Sequence, residues 1–340
     1  MICSRRTFIR DTLTAAGALA FYPLSSCRAD SARPGGFNNF EPAYLKLERE
    51  GELAEREKEL WNIYKECRLC PRECEVNRLA GENEICKAAD KLKVHSAGPH
   101  FGEETPLVGR YGSGTIFFSH CNLRCCFCQN WEIAHRGDGG IISHSTLARA
   151  MLSLQKRGCH NINLVTPTHM VPHIVRALRI AVAKGLRLPL VYNTGGYDKL
   201  DTIKKLDGIV DIYMPDFKFQ DGKLAHKYCS EASDYPEVAA TAIKEMHRQV
   251  GVLRTDGRGI AMRGMILRHL VMPHNLAGTD RFLCWVAKEL SPDTYVNIMD
   301  QYRPCHKASD YPEIARPLSK EEWRQAVKWA KGSGLTNLDL

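Results

Sequence analysis

From residue 115 to the C-terminus, short apolar runs alternate with stretches in which apolar residues recur every three to four positions. The runs at 116–118, 161–165, 188–192, 209–214, 265–271 and 295–299 have strand length and composition. Between them the period changes to helical. Leu147, Ala150, Met151 and Leu154 share one face, with Ser145 placed to cap it and Gly158 to stop it. Ile174, Ala177, Leu178, Ala181 and Val182 share another, ending at Gly185, and residues 236–250 give a third. Phe282, Leu283, Val286 and Leu290 form the next. Trp323, Ala326, Val327 and Ala330 form the last, opened by a capping box of Ser319 and Glu322. Six strand-then-helix units predict a parallel sheet with crossover helices. Upstream, Leu53, Leu60, Trp61 and Tyr64 predict one helix within 41–66. The octapeptide Ala-Ser-Asp-Tyr-Pro-Glu-Val/Ile-Ala occurs at 232–239 and 308–315, each copy offering Asp, Pro and Glu at a helix start.

Composition narrows this picture. A chain of 340 residues, 44% hydrophobic, can bury one α/β barrel or two smaller domains. Its formal charge of +8 is dispersed among acidic residues, without the basic stripe of a nucleic-acid binder. No apolar run reaches the length of about 18 residues that spans a bilayer. Fourteen cysteines are many, but Cys67, Cys70, Cys74, Cys86, Cys121, Cys125, Cys126 and Cys128 fall in two tight groups, which argues for metal over a disulfide framework.

Cys121, Cys125 and Cys128 stand at C-x3-C-x2-C in a loop directly after the first apolar run. Three thiolates on a cubane of four irons leave one iron free to hold a small molecule. Cys126 falls outside that spacing and reads as a spare thiol. Cys67, Cys70, Cys74 and Cys86 form an earlier knuckle; four thiolates suit closed zinc, a fully ligated iron–sulfur cluster or, in an oxidising compartment, disulfides. His100, Glu103 and Glu104 lie in a Gly- and Pro-rich loop, either as a solvated pair of glutamates or beside the cluster.

With Phe127 as its aromatic, the motif resembles the C-x3-C-x-aromatic-C signature of the radical S-adenosylmethionine (SAM) superfamily. The string CNLRCCFCQN resembles the branch that holds pyruvate formate-lyase activating enzyme and its uncharacterised relatives, and the resemblance covers about residues 60 to 340. It implies an α/β fold: a partial (β/α)6 TIM-like barrel, here with an N-terminal helix and cysteine-rich knuckle. It also implies a 4Fe-4S cluster held by Cys121, Cys125 and Cys128, SAM on the open iron, a low-potential electron donor, and hydrogen abstraction from a small molecule or a protein such as a glycyl-radical partner.

Ligands of α/β barrels lie at the carboxyl ends of the strands. Thr166, Thr168 and His169, Asn193 to Tyr197, Asp216 and Lys218, Arg268 and His269, and Gln301 to Arg303 occupy those ends. By resemblance, Asp216-Phe217-Lys218 contacts the ribose and carboxylate of SAM, and Arg268 pairs with its carboxylate. The usual Gly-Gly-Glu after the second strand is replaced by Thr166-Pro167-Thr168-His169, so the Thr166 and Thr168 hydroxyls and backbone carbonyls are expected to accept those hydrogen bonds, and Asn193 after the third strand is a further expected SAM contact. A non-catalytic electron carrier would use the cysteines but not Asp216, Lys218 and Arg268.

The N-terminus carries Arg5 and Arg6, an apolar run from Thr12 to Leu24, and Cys27 after Leu24-Ser25-Ser26. It resembles a twin-arginine export signal joined to a lipoprotein cleavage site, which implies a periplasmic-side protein whose membrane contact is a lipid anchor; the alternative is a cytoplasmic enzyme with an N-terminal extension. The expected organisation is signal 1–27, linker 28–40, helix and knuckle 41–110, and barrel 111–340.

Overall fold

The structure is a computed structural model that describes residues 40–340; the expected signal, with Arg5, Arg6 and Cys27, and the linker up to residue 39 lie outside the described residues. Six parallel strands run side by side in sequence order: β2 (Ser113–Phe118), β3 (Ile162–Val165), β4 (Leu190–Thr194), β5 (Ile212–Pro215), β6 (Ala261–Leu270) and β7 (Tyr295–Met299). An antiparallel strand, β1 (Lys93–His100), covers the β2 edge, and the short β8 (Leu338–Asp339) covers β7. This is the expected α/β barrel of radical SAM type, with an added strand on each flank.

The crossovers are α3 (His144–Lys156), α4 (Val171–Ala183), α5 (Leu200–Lys205), α6 (Gly222–Tyr228) with α7 (Tyr235–Val250), and α8 (Thr279–Glu289); α9 (Lys320–Gly332) leads to β8. Alternation along the strands separates two apolar clusters. Ile162, Leu164, Leu190, Tyr192, Tyr213, Met265 and Leu267 join the layer under the helices, whereas Val191, Ile212, Met214 and Ile266 meet Leu107 in a smaller cluster of their own. The α4 face of Ile174, Val175, Leu178, Ala181 and Val182 is buried, each larger side chain contributing about 1.5–3 kcal/mol.

Several boundaries depart from the periodicity. The segment 41–66 is two helices, α1 (Ala43–Arg49) and α2 (Glu52–Asn62), because Gly51 sits at φ 78 between them. Ser143, not Ser145, caps α3; its Oγ accepts from the Thr146 amide at 3.1 Å. Ile209 and Val210 still turn, their amides bonded to Leu206, so β5 starts only at Ile212. The first octapeptide opens the long helix α7. The second gives only two 3-10 turns, since Pro317 follows at once and bars a continuing helix.

Candidate functional site

The loop after β2 turns sharply. His120 and Arg124 adopt φ 74 and φ 50, and Gly137 lies so close that a β-carbon there would stand 2.2 Å from the His120 ring. That approach lets a π-helical turn, Glu132–Arg136, fold back over the loop, where His135 Nε2 meets the Cys125 carbonyl at 3.0 Å. Phe127 is buried edge-on to Phe219, which anchors the loop's apolar side. Cys121, Cys125 and Cys128 come together here as free thiols. Burial raises the Cys121 and Cys128 thiols, and the neighbouring Cys125 raises both further; Lys218 pulls each of the two down. Cys125 itself is drawn below the usual thiol value, chiefly by a hydrogen bond from Cys229, whose sulfur lies 3.4 Å away. Cys126 belongs to other contacts, its amide bonded to Tyr228 and its carbonyl to the Lys307 amide.

Lys218 joins this loop to the strand ends. Its Nζ is 2.6 Å from Asp216 Oδ2, and the other carboxylate oxygen accepts from Arg268 Nε at 2.7 Å. Burial alone would push the Asp216 carboxyl up, but Arg268 and Lys218 outweigh it and hold the group below the usual carboxylate range. Arg268 also donates to Asn193 Oδ1 at 2.8 Å and faces Glu104 at 3.4 Å. Tyr235 ties the two strand ends together. Its hydroxyl accepts the Lys218 amide at 2.9 Å and lies within hydrogen-bond range of the Gly195 and Asp216 carbonyls. Gly196, at φ 81, is required because a β-carbon there would stand 2.3 Å from the Asp216 carbonyl oxygen.

Of the strand-end residues anticipated as SAM contacts, Asn193, Asp216, Lys218 and Arg268 are thus brought together. Thr168 lies apart, 2% exposed, with its hydroxyl donated to Asp198 at 2.7 Å; Tyr192 and Thr194 donate to the same carboxylate. Thr166 holds φ 56, a rare conformation for a β-branched residue, at the β3 end. His169, His269 and Tyr302 are buried and bonded to the backbone at Ser119, Phe217 and Ile314. Glu103 and Glu104 are not a solvated pair. They are buried against Asn163, His100 and Arg268. Cys229 and Tyr235 escaped sequence reasoning; a lone cysteine and a repeat tyrosine carry no local signal.

Cys67, Cys70, Cys74 and Cys86 also come together. Burial raises the Cys70 thiol, and Cys86, Cys67 and Cys74 each raise it further. Arg72, between two of them, donates to the carbonyls of Asn122 at 3.1 Å and Cys229 at 3.0 Å.

Among the described residues, no three His, Cys, Asp or Glu side chains converge on the position of a single metal ion. A cubane gives each thiolate its own iron, so it does not need that convergence. Three buried thiols in one loop, Cys121 and Cys128 both beside Cys125, with the Lys218 cation near them and no fourth ligand from the same motif, fit such a cluster with one iron left to SAM.

Comparison with known proteins bears on the same segment. The family profile described as "Radical SAM superfamily" matches residues 115–256. Uncharacterized protein MJ0674 of Methanocaldococcus jannaschii is 33% identical over 313 residues, which is 89% of this chain and 85% of that protein. A solved structure of TYW1 with a lysine-pyruvate adduct bound is similar to 64% of this chain and 73% of its own, at 10% identity and a TM-score of 0.41.

Proposed function

This chain belongs to the radical SAM superfamily, and from that premise we propose that Cys121, Cys125 and Cys128 hold its 4Fe-4S cluster while Asn193, Asp216, Lys218 and Arg268 receive SAM. The chemistry that such a cluster with SAM supplies when bound is reductive cleavage of SAM and removal of a hydrogen atom from a substrate. The observation that carries the reading is the continuity of the site: Lys218 touches Asp216 at 2.6 Å and acts electrostatically on Cys121, Cys125 and Cys128. Lys218 and Arg268 offer cations to a carboxylate, and Asp216 offers acceptors to ribose hydroxyls. Thr166, with its strained backbone beside Asn193, serves the same end of the barrel; Thr168 would act only through Asp198.

Anaerobic reconstitution, reduction and assay of 5′-deoxyadenosine from SAM tests this. The parent chain should release it and Cys125→Ala should not. A reconstituted, reducible parent that leaves SAM intact would instead be the electron-carrying protein.

Finer assignments belong to the same proposal. The string CNLRCCFCQN and Asp216-Phe217-Lys218 support the activating-enzyme-like branch, with a glycyl-radical protein as one candidate hydrogen donor and a small molecule or peptide as the other. A glycyl-radical signal in a co-expressed partner tests that, against product formation on a small molecule. The four-cysteine knuckle is proposed as a second metal site of the iron–sulfur kind, because its thiols do not converge on the position of a single ion. Arg5, Arg6 and Cys27 support export and a lipid anchor; a chain that fractionates as a soluble cytoplasmic protein, with or without Arg5→Lys and Arg6→Lys, would refute it.

A further inference from the structure

Three successive residues at the end of α6 meet three successive residues of the cluster loop in reverse order. The Cys126 amide donates to the Tyr228 carbonyl at 2.8 Å, and the Ser230 hydroxyl donates to the Arg124 carbonyl at 3.0 Å. Between those two bonds, Cys229 Sγ lies 3.4 Å from Cys125 Sγ, a separation that admits no water. Both segments leave ordinary backbone geometry at this point, Arg124 at φ 50 and Ser230 at φ 49. Arg72 adds a further tie, donating to the carbonyls of Cys229 at 3.0 Å and Asn122 at 3.1 Å. Cys229 is 0% exposed, and its amide is taken by the Ala225 carbonyl at 2.8 Å. The flanking bonds therefore set the two sulfurs against each other.

Resting on the reading above, in which Cys125 is a ligand of the cluster, this contact has a defined polarity. Iron takes the Cys125 sulfur as a thiolate, which can only accept a hydrogen bond; Cys229 lies outside the C-x3-C-x2-C spacing, holds no iron and can donate. Cys121 has a backbone donor, the Leu123 amide at 3.4 Å from its sulfur, whereas Cys125 has a side chain in that role. Hydrogen bonds to the sulfurs are among the means by which a protein sets a cluster's reduction potential. We propose that the Cys229 thiol donates to the Cys125 sulfur of the loaded cluster and raises its reduction potential, so that a reductant of given strength fills the cluster more completely. Reduction adds one electron and moves no proton. Part of the added charge falls on the cysteine sulfurs, and an S–H dipole aimed at one of them favours the reduced form. Cys229 acts only through Cys125 and is a positioning residue.

The test reconstitutes the full chain, Cys229→Ala and Cys229→Ser anaerobically without SAM, and follows the electron paramagnetic resonance signal that a Cys125→Ala chain lacks. Titanium(III) citrate supplies the electron, one for each titanium oxidised. At the poise that half-reduces the parent, the reduced-to-oxidised ratio should fall about fivefold in Cys229→Ala, the loss of one ordinary hydrogen bond, and stay closer to the parent in Cys229→Ser, whose hydroxyl still donates. A parental ratio in Cys229→Ala, or a lower ratio in Cys229→Ser than in Cys229→Ala, would overturn the proposal. Iron and sulfide should match the parent in both variants. A shortfall in a Cys229→Ala chain whose circular dichroism matches the parent would make Cys229 a ligand instead of a donor and overturn it too. In the parent reconstituted in heavy water, pulsed electron–nuclear double resonance should show exchangeable deuterons coupled to the reduced cluster, and Cys229→Ala should lose one such coupling. A parent with no such deuteron would sink the proposal without any substitution. A parent that binds no iron refutes the cluster reading itself, which separates that failure from an unshifted potential.

Discussion

Replacing Asp216 with Asn keeps the shape of the strand-end network and removes its central charge. Asp216 accepts from Lys218 at 2.6 Å and from Arg268 at 2.7 Å, and all three side chains are 14% to 17% exposed. Removing one partner of a buried ion pair costs roughly 3–5 kcal/mol, because the other is left uncompensated. Arg268 keeps Glu104 and Asn193, and Lys218 keeps some water, so Asp216→Asn should cost about 3 kcal/mol, near the lower end. Removing Lys218 as well, as Met, should recover much of that loss, giving a coupling of about 2 kcal/mol in a double-mutant cycle. The assay is urea unfolding of metal-free protein at pH 7, followed by circular dichroism. The carboxyl lies below its unfolded value, so its contribution is present above about pH 4 and lost as pH falls through the folded value. The variant and parent should therefore converge in acid. A single variant within about 1 kcal/mol of the parent at pH 7, or a double variant less stable than the sum of the singles, would refute the buried-network argument.

Tyr235→Phe deletes a hydroxyl shared by the Lys218 amide and the Gly195 and Asp216 carbonyls; it should cost about 1–3 kcal/mol and weaken SAM binding in equilibrium dialysis, and unchanged binding would mean that Tyr235 does not position the site. Gly196→Ala combines φ 81 with a clash against the Asp216 carbonyl oxygen and should lower the midpoint of thermal unfolding far more than Gly185→Ala, which has φ 93 but open space and should cost only about 1 kcal/mol; equal effects would remove the close approach as the cause. Burial pushes the Asp211 carboxyl up to about 7, with bonds from the Ala43 and Leu190 amides opposing. A raised carboxyl favours folding in its protonated form, so stability should fall by up to about 4 kcal/mol as pH rises from 4 to 7, and Asp211→Asn should flatten that slope. A slope unaltered by the substitution would assign the pH dependence elsewhere.

The chain's local chemistry was legible without coordinates. The spacing of Cys121, Cys125 and Cys128 and the six alternations of apolar run and helical stripe are properties of contiguous residues, and they specify a cluster-type loop on a parallel α/β sheet. Asp216, Lys218 and Arg268 were legible too, since strand ends can be counted from the same alternation. Local boundaries were less so: Gly51 splits a stripe that reads as one helix, and Pro317 stops a second copy of an octapeptide that elsewhere opens a long helix.

What only the tertiary structure decided is which distant groups share charge. Glu104, Asp216 and Arg268 are far apart in the chain, and the closing barrel makes them one buried network. Thr168, expected at a strand end, donates its hydroxyl to the buried Asp198. Cys229 reaches Cys125, and Arg78 reaches the His169 carbonyl, through the same closure. Periodicity reports which face of an element is apolar. The partner of a buried charge depends on which elements that face meets, and burial is what makes that partner matter, because it removes the water that would otherwise balance the charge.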